Sequence, residues 1–137
     1  MRYLLDTNSL SDYRRKRSRS LVSWFERQSI DSLALSVITV LEIERGILRL
    51  QRRDMATATR IRDWFEQAIL ADLAERILPV DERTARIAVS FHVPDPMPEF
   101  DALIAATAIR HNLTLITRNR RDMTRTGVRL LDPWESN

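Results

Sequence analysis

Four stretches far apart in the chain set an acid or an amide where apolar sequence breaks off. They are Asp6 in Tyr3-Leu4-Leu5-Asp6-Thr7-Asn8, Glu42 and Glu44 in Leu41-Glu42-Ile43-Glu44-Arg45-Gly46, Asp101 in Phe100-Asp101-Ala102-Leu103, and Asn119 with Asp122 after Thr117. A carboxylate at the end of a buried run costs desolvation energy unless something pairs with it. Oxygen donors gathered from distant segments suit a hard cation such as Mg²⁺ or Mn²⁺. The chain has no cysteine, which removes thiolate nucleophiles, disulfides and cysteine zinc sites. Its two histidines, His92 beside a proline loop and His111 at a helix end, lack metal-ligand spacing and are read as structural.

Each acid also has a plainer explanation. Asp6 fits a helix cap whose side chain satisfies an orphan backbone N–H. Asp101 is the only charge between Glu99 and Arg110 on a helix apolar almost all round, where the helix dipole favours a first-turn carboxylate. Small residues, Ala105 and Ala108, leave room beneath it. In the middle stretch a helical wheel groups Val37, Val40, Leu41, Ile47 and Leu48, with Glu44 among them and Glu42 opposite, beside Thr39 and Gly46. Periodicity favours Glu44 as the buried acid, the Thr/Glu/Gly stripe favours Glu42, and spacing leaves both open. Asn119 and Asp122 also suit turn chemistry.

The elements that must position these groups follow from apolar patterning. Short strands are expected at 2–5, 33–36, 77–80, 113–117 and 128–131, with helices at 7–14, 19–28, 37–52, 54–75, 81–91 and 99–111. Strands alternating with helices predict an α/β fold with a parallel sheet covered by helices. In such sheets ligands sit beyond the carboxyl ends of the strands, where strand order reverses, and Asp6 and Thr117 lie at two such ends. Residues 1–137 are expected to form a single domain. Hydrophobic content of 44% with 30% charge suits a globular chain. Apolar runs are too short for a membrane span, and with no basic-then-apolar leader a cytoplasmic location is expected. The net charge of +3 hides two basic blocks, Arg14-Arg15-Lys16-Arg17 with Arg19, and Arg118, Arg120, Arg121 with Arg125. Such patches suit a polyanionic partner, and their plainer explanation is a solvated surface.

Taken in order, Leu4-Leu5-Asp6-Thr7-Asn8, the 36–46 segment, Phe100-Asp101-Ala102-Leu103-Ile104-Ala105-Ala106-Thr107-Ala108, Leu115-Ile116-Thr117-Arg118-Asn119 and the closing Pro133-Trp134 resemble the PIN-domain family, and closely its VapC toxins. The resemblance spans the chain. It implies a three-layer fold with a central parallel sheet of about five strands, and a metal-dependent endoribonuclease that is the toxin of a toxin–antitoxin pair. By the same resemblance Asp6, Glu42 and Asp101 are the acids, which settles Glu42 over Glu44, and Asn119 stands where many members carry a fourth acid. Asp6 and Asp101 would be ligands of Mg²⁺ or Mn²⁺, and Thr7, Asn8, Thr117 and Asp122 would support them. The implied reaction is in-line attack of a metal-activated water on an RNA phosphodiester, with a small antitoxin as inhibitor and a homodimer as the assembly. Arg14, Arg15, Lys16, Arg17, Arg118, Arg120 and Arg121 are candidate RNA contacts. The neutral Asn119 makes the number of metals one or two, and the link from Asp81 to Asp101 is shorter than usual.

Two other readings compete. A haloacid dehalogenase-type phosphatase also ends its first strand in aspartate, but needs a second Asp where this chain has Asn8. A non-catalytic PIN-like module that binds RNA or a partner is the main alternative, kept open by Asn119. The aromatic residues Trp24, Phe25, Trp64 and Phe65 are assigned to core or subunit interface rather than to base stacking.

Overall fold

The computed structural model describes residues 1–135; the last two residues of the expected 1–137 domain lie outside the described residues. Five strands, β1 (Tyr3–Leu5), β2 (Leu33–Ser36), β3 (Ile77–Leu78), β4 (Thr114–Ile116) and β5 (Leu130–Leu131), form one sheet in the order β3-β2-β1-β4-β5. Every pairing is parallel. Around it the described residues form helices α1 (Thr7–Arg15), α2 (Arg19–Glu26), α3 (Val37–Gln51), α4 (Met55–Trp64), α5 (Glu82–Ser90), α6 (Glu99–Arg110) and α7 (Arg120–Met123). This is the α/β architecture expected from the alternation of strands and helices, with shorter strands than the apolar runs indicate.

Residue alternation along the strands divides the core into two faces. Leu5, Leu33, Leu35 and Ile116 pack into a cluster with Leu10, Leu21, Phe25 and Ile47 from α1, α2 and α3. Their neighbours Leu4, Ala34, Leu78 and Leu115 point the other way, against Ile38, Ile104, Ala105 and Ala108 from α3 and α6. A strand buried on both faces has to be apolar throughout, which is why the runs read as continuous.

Short polar side chains start most of the helices. Ser18, Ser36, Asp54 and Asp81 each accept a hydrogen bond from an early backbone N–H of α2, α3, α4 and α5. Each such cap is worth about 1 kcal/mol. Gly127, at φ +78°, turns the chain into β5, a conformation that a side chain would strain.

Two expectations fail. The single helix expected over 54–75 ends as an α-helix at Trp64 and continues as a π-helical turn, Phe65–Leu70, then a short 3₁₀ turn, Ala74–Arg76. The i→i+5 winding, as in the Ala71 N–H bond to the Glu66 carbonyl, goes with Trp64, Phe65, Ile69 and Leu70 all reaching the same core cluster. On α3 the buried residues are Ile38, Thr39, Ile43 and Ile47, whereas Leu41 and Leu48 are exposed. The apolar face drawn from periodicity is therefore turned from the true one, because it counts two surface leucines as core.

Candidate active site

The chain begins in the middle strand, builds β2 and β3 on one side and returns to lay β4 and β5 on the other. Strand order thus reverses beside β1, and the carboxyl ends of β1 and β4 face a shared crevice. A cavity of about 170 Å³ lies there, lined by Asp6, Thr7, Asn8, Glu42, Asp101, Asn119 and Thr117, with Ile104 and Met123 as its apolar wall. Asp6 and Thr117 arrive on strand ends, Glu42 on the second turn of α3, and Asp101 on the first turn of α6. No arginine, lysine or histidine is among the lining residues.

Asp6 caps α1 and also lines the crevice. Its Oδ1 accepts from the Ser9 N–H at 2.8 Å, capping α1, while the Ser9 hydroxyl donates to the Asp6 carbonyl at 2.7 Å. Only 9% of Asp6 is exposed, and burial pushes its carboxyl from the ordinary 3.8 up to about 6. The nearby Asp101 charge adds to that rise, while hydrogen bonds from Thr117 and Ser9 oppose it. Asp101 is half-buried and also raised, first by desolvation, then by the charges of Glu42 and Asp122. It is not a cap: Pro98 occupies that position, and among the described residues no backbone N–H of α6 donates to the Asp101 carboxylate.

The structure separates the two glutamates. Glu42 lines the cavity, where its Oε1 accepts from the Thr7 hydroxyl at 2.7 Å. Glu44 turns away and binds Arg62 of α4 through both oxygens at 3.1 Å. Asn119 lines the cavity, and its N–H donates to the Thr117 hydroxyl at 3.0 Å, orienting that side chain. Asp122 is exposed on α7 and does not line the cavity, although its charge reaches Asp101. Sequence reasoning missed Ser9, which braces Asp6 from both sides, and Met123 and Ile104, which close the wall. A serine three residues after a candidate cap was the available signal for Ser9.

The basic candidates divide. Arg14 and Arg15 line a second cavity that adjoins the acids, together with Arg53, which the sequence did not single out. Lys16, Arg17, Arg118, Arg120 and Arg121 are exposed, and Arg120 pairs with Glu135 at 3.9 Å. Trp134 from the closing motif donates its indole N–H to Asp12 at 3.0 Å, fastening the C-terminal segment to α1. A larger cavity of about 590 Å³ between α2 and residues 131–135 holds none of the candidate acids.

Among the described residues, no three His, Cys, Asp or Glu side chains already sit within a common metal shell. The donor set nonetheless fits a cation such as Mg²⁺, which is held by one or two carboxylates and keeps most of its waters. Asp6 and Asp101 would supply those carboxylates. Desolvation raises both first, and neighbouring acids add to it, Asp101 for Asp6 and Glu42 with Asp122 for Asp101.

The chain is 30% identical over 138 residues to the VapC ribonuclease Y4jK of Sinorhizobium fredii, covering 96% of this chain and 97% of the relative. It superposes on the crystal structure of FitAcB from Neisseria gonorrhoeae with a TM-score of 0.89 at 31% identity, over 98% of this chain and 99% of that one. A toxin–antitoxin complex from Klebsiella pneumoniae matches with a TM-score of 0.68 at 27% identity, over 98% and 99%. The model of the PIN domain matches residues 3–128. A family match that spans residues 3–128, nearly the whole chain, makes the protein a member of the PIN-domain family.

Proposed function

We propose that this protein is an RNA-cleaving hydrolase and the toxin of a VapBC-type toxin–antitoxin pair, acting with Mg²⁺ or Mn²⁺ in the cytoplasm. The observation that carries the reading is the convergence of Asp6, Glu42 and Asp101, from three distant segments, on one crevice at the strand ends. The similarity to a VapC ribonuclease and to the toxin–antitoxin complex from Klebsiella pneumoniae supports the substrate class and the partner. Among the described residues no helix is long and apolar enough to cross a membrane.

Asp6 and Asp101 would hold the divalent ion, which when bound supplies a water of lowered pKa and offsets the charge of the scissile phosphate. Burial and the Ser9 N–H hold the Asp6 carboxylate, and the Ser9 hydroxyl holds its backbone carbonyl, so the carboxylate is oriented before substrate arrives. Thr7 holds Glu42 at 2.7 Å, which keeps that carboxylate toward the crevice, where it would orient the waters of the ion. Asn119 is neutral where a fourth acid would repel, so the crevice carries less charge and can receive a phosphodiester at lower electrostatic cost. Ile104 and Met123 limit water on one side. The antitoxin inhibits by covering this crevice, with a basic side chain placed among the carboxylates. A homodimer is part of the same reading.

The test is cleavage of single-stranded and structured RNA by the antitoxin-free protein, with Mg²⁺ or Mn²⁺ and then with excess chelator, alongside Asp6→Asn and Asp101→Asn. Cleavage that needs the ion and disappears in both variants supports the proposal. Cleavage that persists in the variants rejects the acid crevice, and RNA binding without any cleavage favours a non-catalytic PIN-like module.

A further inference from the structure

Thr7 and Glu42 line two cavities at once. On one side of their hydrogen bond lies the acid crevice; on the other, α1, α3 and α4 enclose about 260 Å³ of space that the catalytic reading leaves unused. Its floor is apolar, formed by Ile47, Leu50, Ile61 and Trp64. Its rim carries Arg14, Arg15 and Arg53, and among the described residues none of the three is in an ion pair. The volume is slightly below that of pockets for drug-sized ligands, about 300 Å³ and upward.

Resting on the RNA-cleaving reading, we propose that this cavity is a nucleoside subsite: it takes the unpaired base of a nucleotide next to the scissile phosphate, while Arg14, Arg15 and Arg53 hold the flanking phosphates. Three arguments favour RNA over a protein side chain. The cavity adjoins the acid crevice, sharing Thr7 and Glu42 with it, so a strand that crosses the acids passes beside it. An apolar floor beneath free guanidinium groups matches a base joined to phosphates, the combination by which single strands are commonly held. A purely apolar side chain would leave the three cations without partners. The only carboxylate in the lining is Glu42, and it is turned to Thr7.

Gly46 supplies the independent observation. It sits in the interior of α3, where glycine destabilises a helix relative to alanine, yet a Cβ built on it meets no atom within 4 Å. Nothing in the fold requires glycine there. Gly46 does line the cavity, and any side chain at that position would take up its space.

The test is fluorescence anisotropy of labelled single-stranded RNA octamers in excess chelator, so that binding is read without cleavage. An abasic residue is walked along the octamer against wild type, Gly46→Ala, Gly46→Leu and Arg53→Gln. In wild type one abasic position should weaken binding roughly 5- to 150-fold, the range for a stacked base. In Gly46→Leu the intact octamer should bind as weakly as the abasic one, and that position should lose its effect. Gly46→Ala, which raises helix propensity, should melt at higher temperature and still bind less tightly, separating the subsite from stability. Arg53→Gln should flatten the slope of log K against log salt by about 0.7. A flat abasic scan, or Gly46→Leu within twofold of wild type on every octamer, overturns the subsite and leaves an antitoxin segment as its occupant. Cleavage with Mg²⁺ is measured in parallel. Its persistence alongside a flat scan rejects the subsite alone. Its absence rejects the nuclease reading, and the abasic scan then decides by itself whether the cavity holds a base.

Discussion

Asp6→Asn should make the metal-free protein more stable at neutral pH while abolishing cleavage. Asparagine has the same shape and caps helices as well as aspartate does, so the hydrogen bond from the Ser9 N–H at 2.8 Å is kept and only the charge is lost. The carboxyl titrates near 3.8 in an unfolded chain and is pushed to about 6 in the fold, mainly by burial. Between those values unfolding releases a proton, so this group's stabilisation is fully present below about 3.8, falls as pH rises, and is gone above about 6. At about 1.4 kcal/mol per unit the ionised carboxylate costs about 3 kcal/mol at pH 7.5, already net of the hydrogen bonds that favour it. The carboxamide mimics the protonated acid and escapes that cost. Chemical denaturation in chelator should therefore find the variant about 2–3 kcal/mol more stable at pH 7.5, a rise of roughly 6–12 °C in melting temperature for a chain of this size. At pH 4 the gap should shrink to roughly 0.5 kcal/mol. A variant less stable than wild type at pH 7.5, or a gap that does not change with pH, would refute this reasoning and make Asp6 a structural cap first.

Four further outcomes follow from the same geometry. Mn²⁺ at about 100 times its dissociation constant should stabilise wild type by roughly 2.7 kcal/mol by mass action and leave Asp6→Asn unmoved, as read by thermal melts; equal shifts in both would place the ion elsewhere. Glu42→Gln should lower cleavage roughly 10- to 100-fold with little change in stability. Glu44→Gln should do the reverse, costing about 0.5–1 kcal/mol by breaking the half-exposed pair with Arg62 and sparing cleavage, and interchanged results would restore Glu44 as the site acid. Leu4→Ala, in the fully buried middle strand, should cost about 2–5 kcal/mol in urea unfolding, and a loss under 1 kcal/mol would contradict the two-faced core.

Much of this protein was readable from residue order. Mainly apolar runs at 2–5, 33–36 and 113–117 read as strands covered on both faces, because they are short and leave little polar side for water. Asp6 and Asp101 stood out because each interrupts such sequence. Periodicity misled where exposed apolar residues joined the pattern: Leu41 and Leu48 drew the wrong face on α3, and the continuous stripe at 54–75 concealed the π turn at Phe65–Leu70. Which glutamate enters the crevice could not be derived from spacing, since both lie on one helix two residues apart. The fold decides it by supplying partners, Thr7 from α1 for Glu42 and Arg62 from α4 for Glu44. Arg53 beside Arg14 and Arg15, and the cavity they rim, exist only because α4 folds back along α3. Local sequence determined where strands, caps and charges lie along the chain, because those depend on near neighbours. Which charges meet, how far a carboxyl is lifted and where a substrate finds room depend on contacts between segments many residues apart, and only the packed tertiary structure decides them.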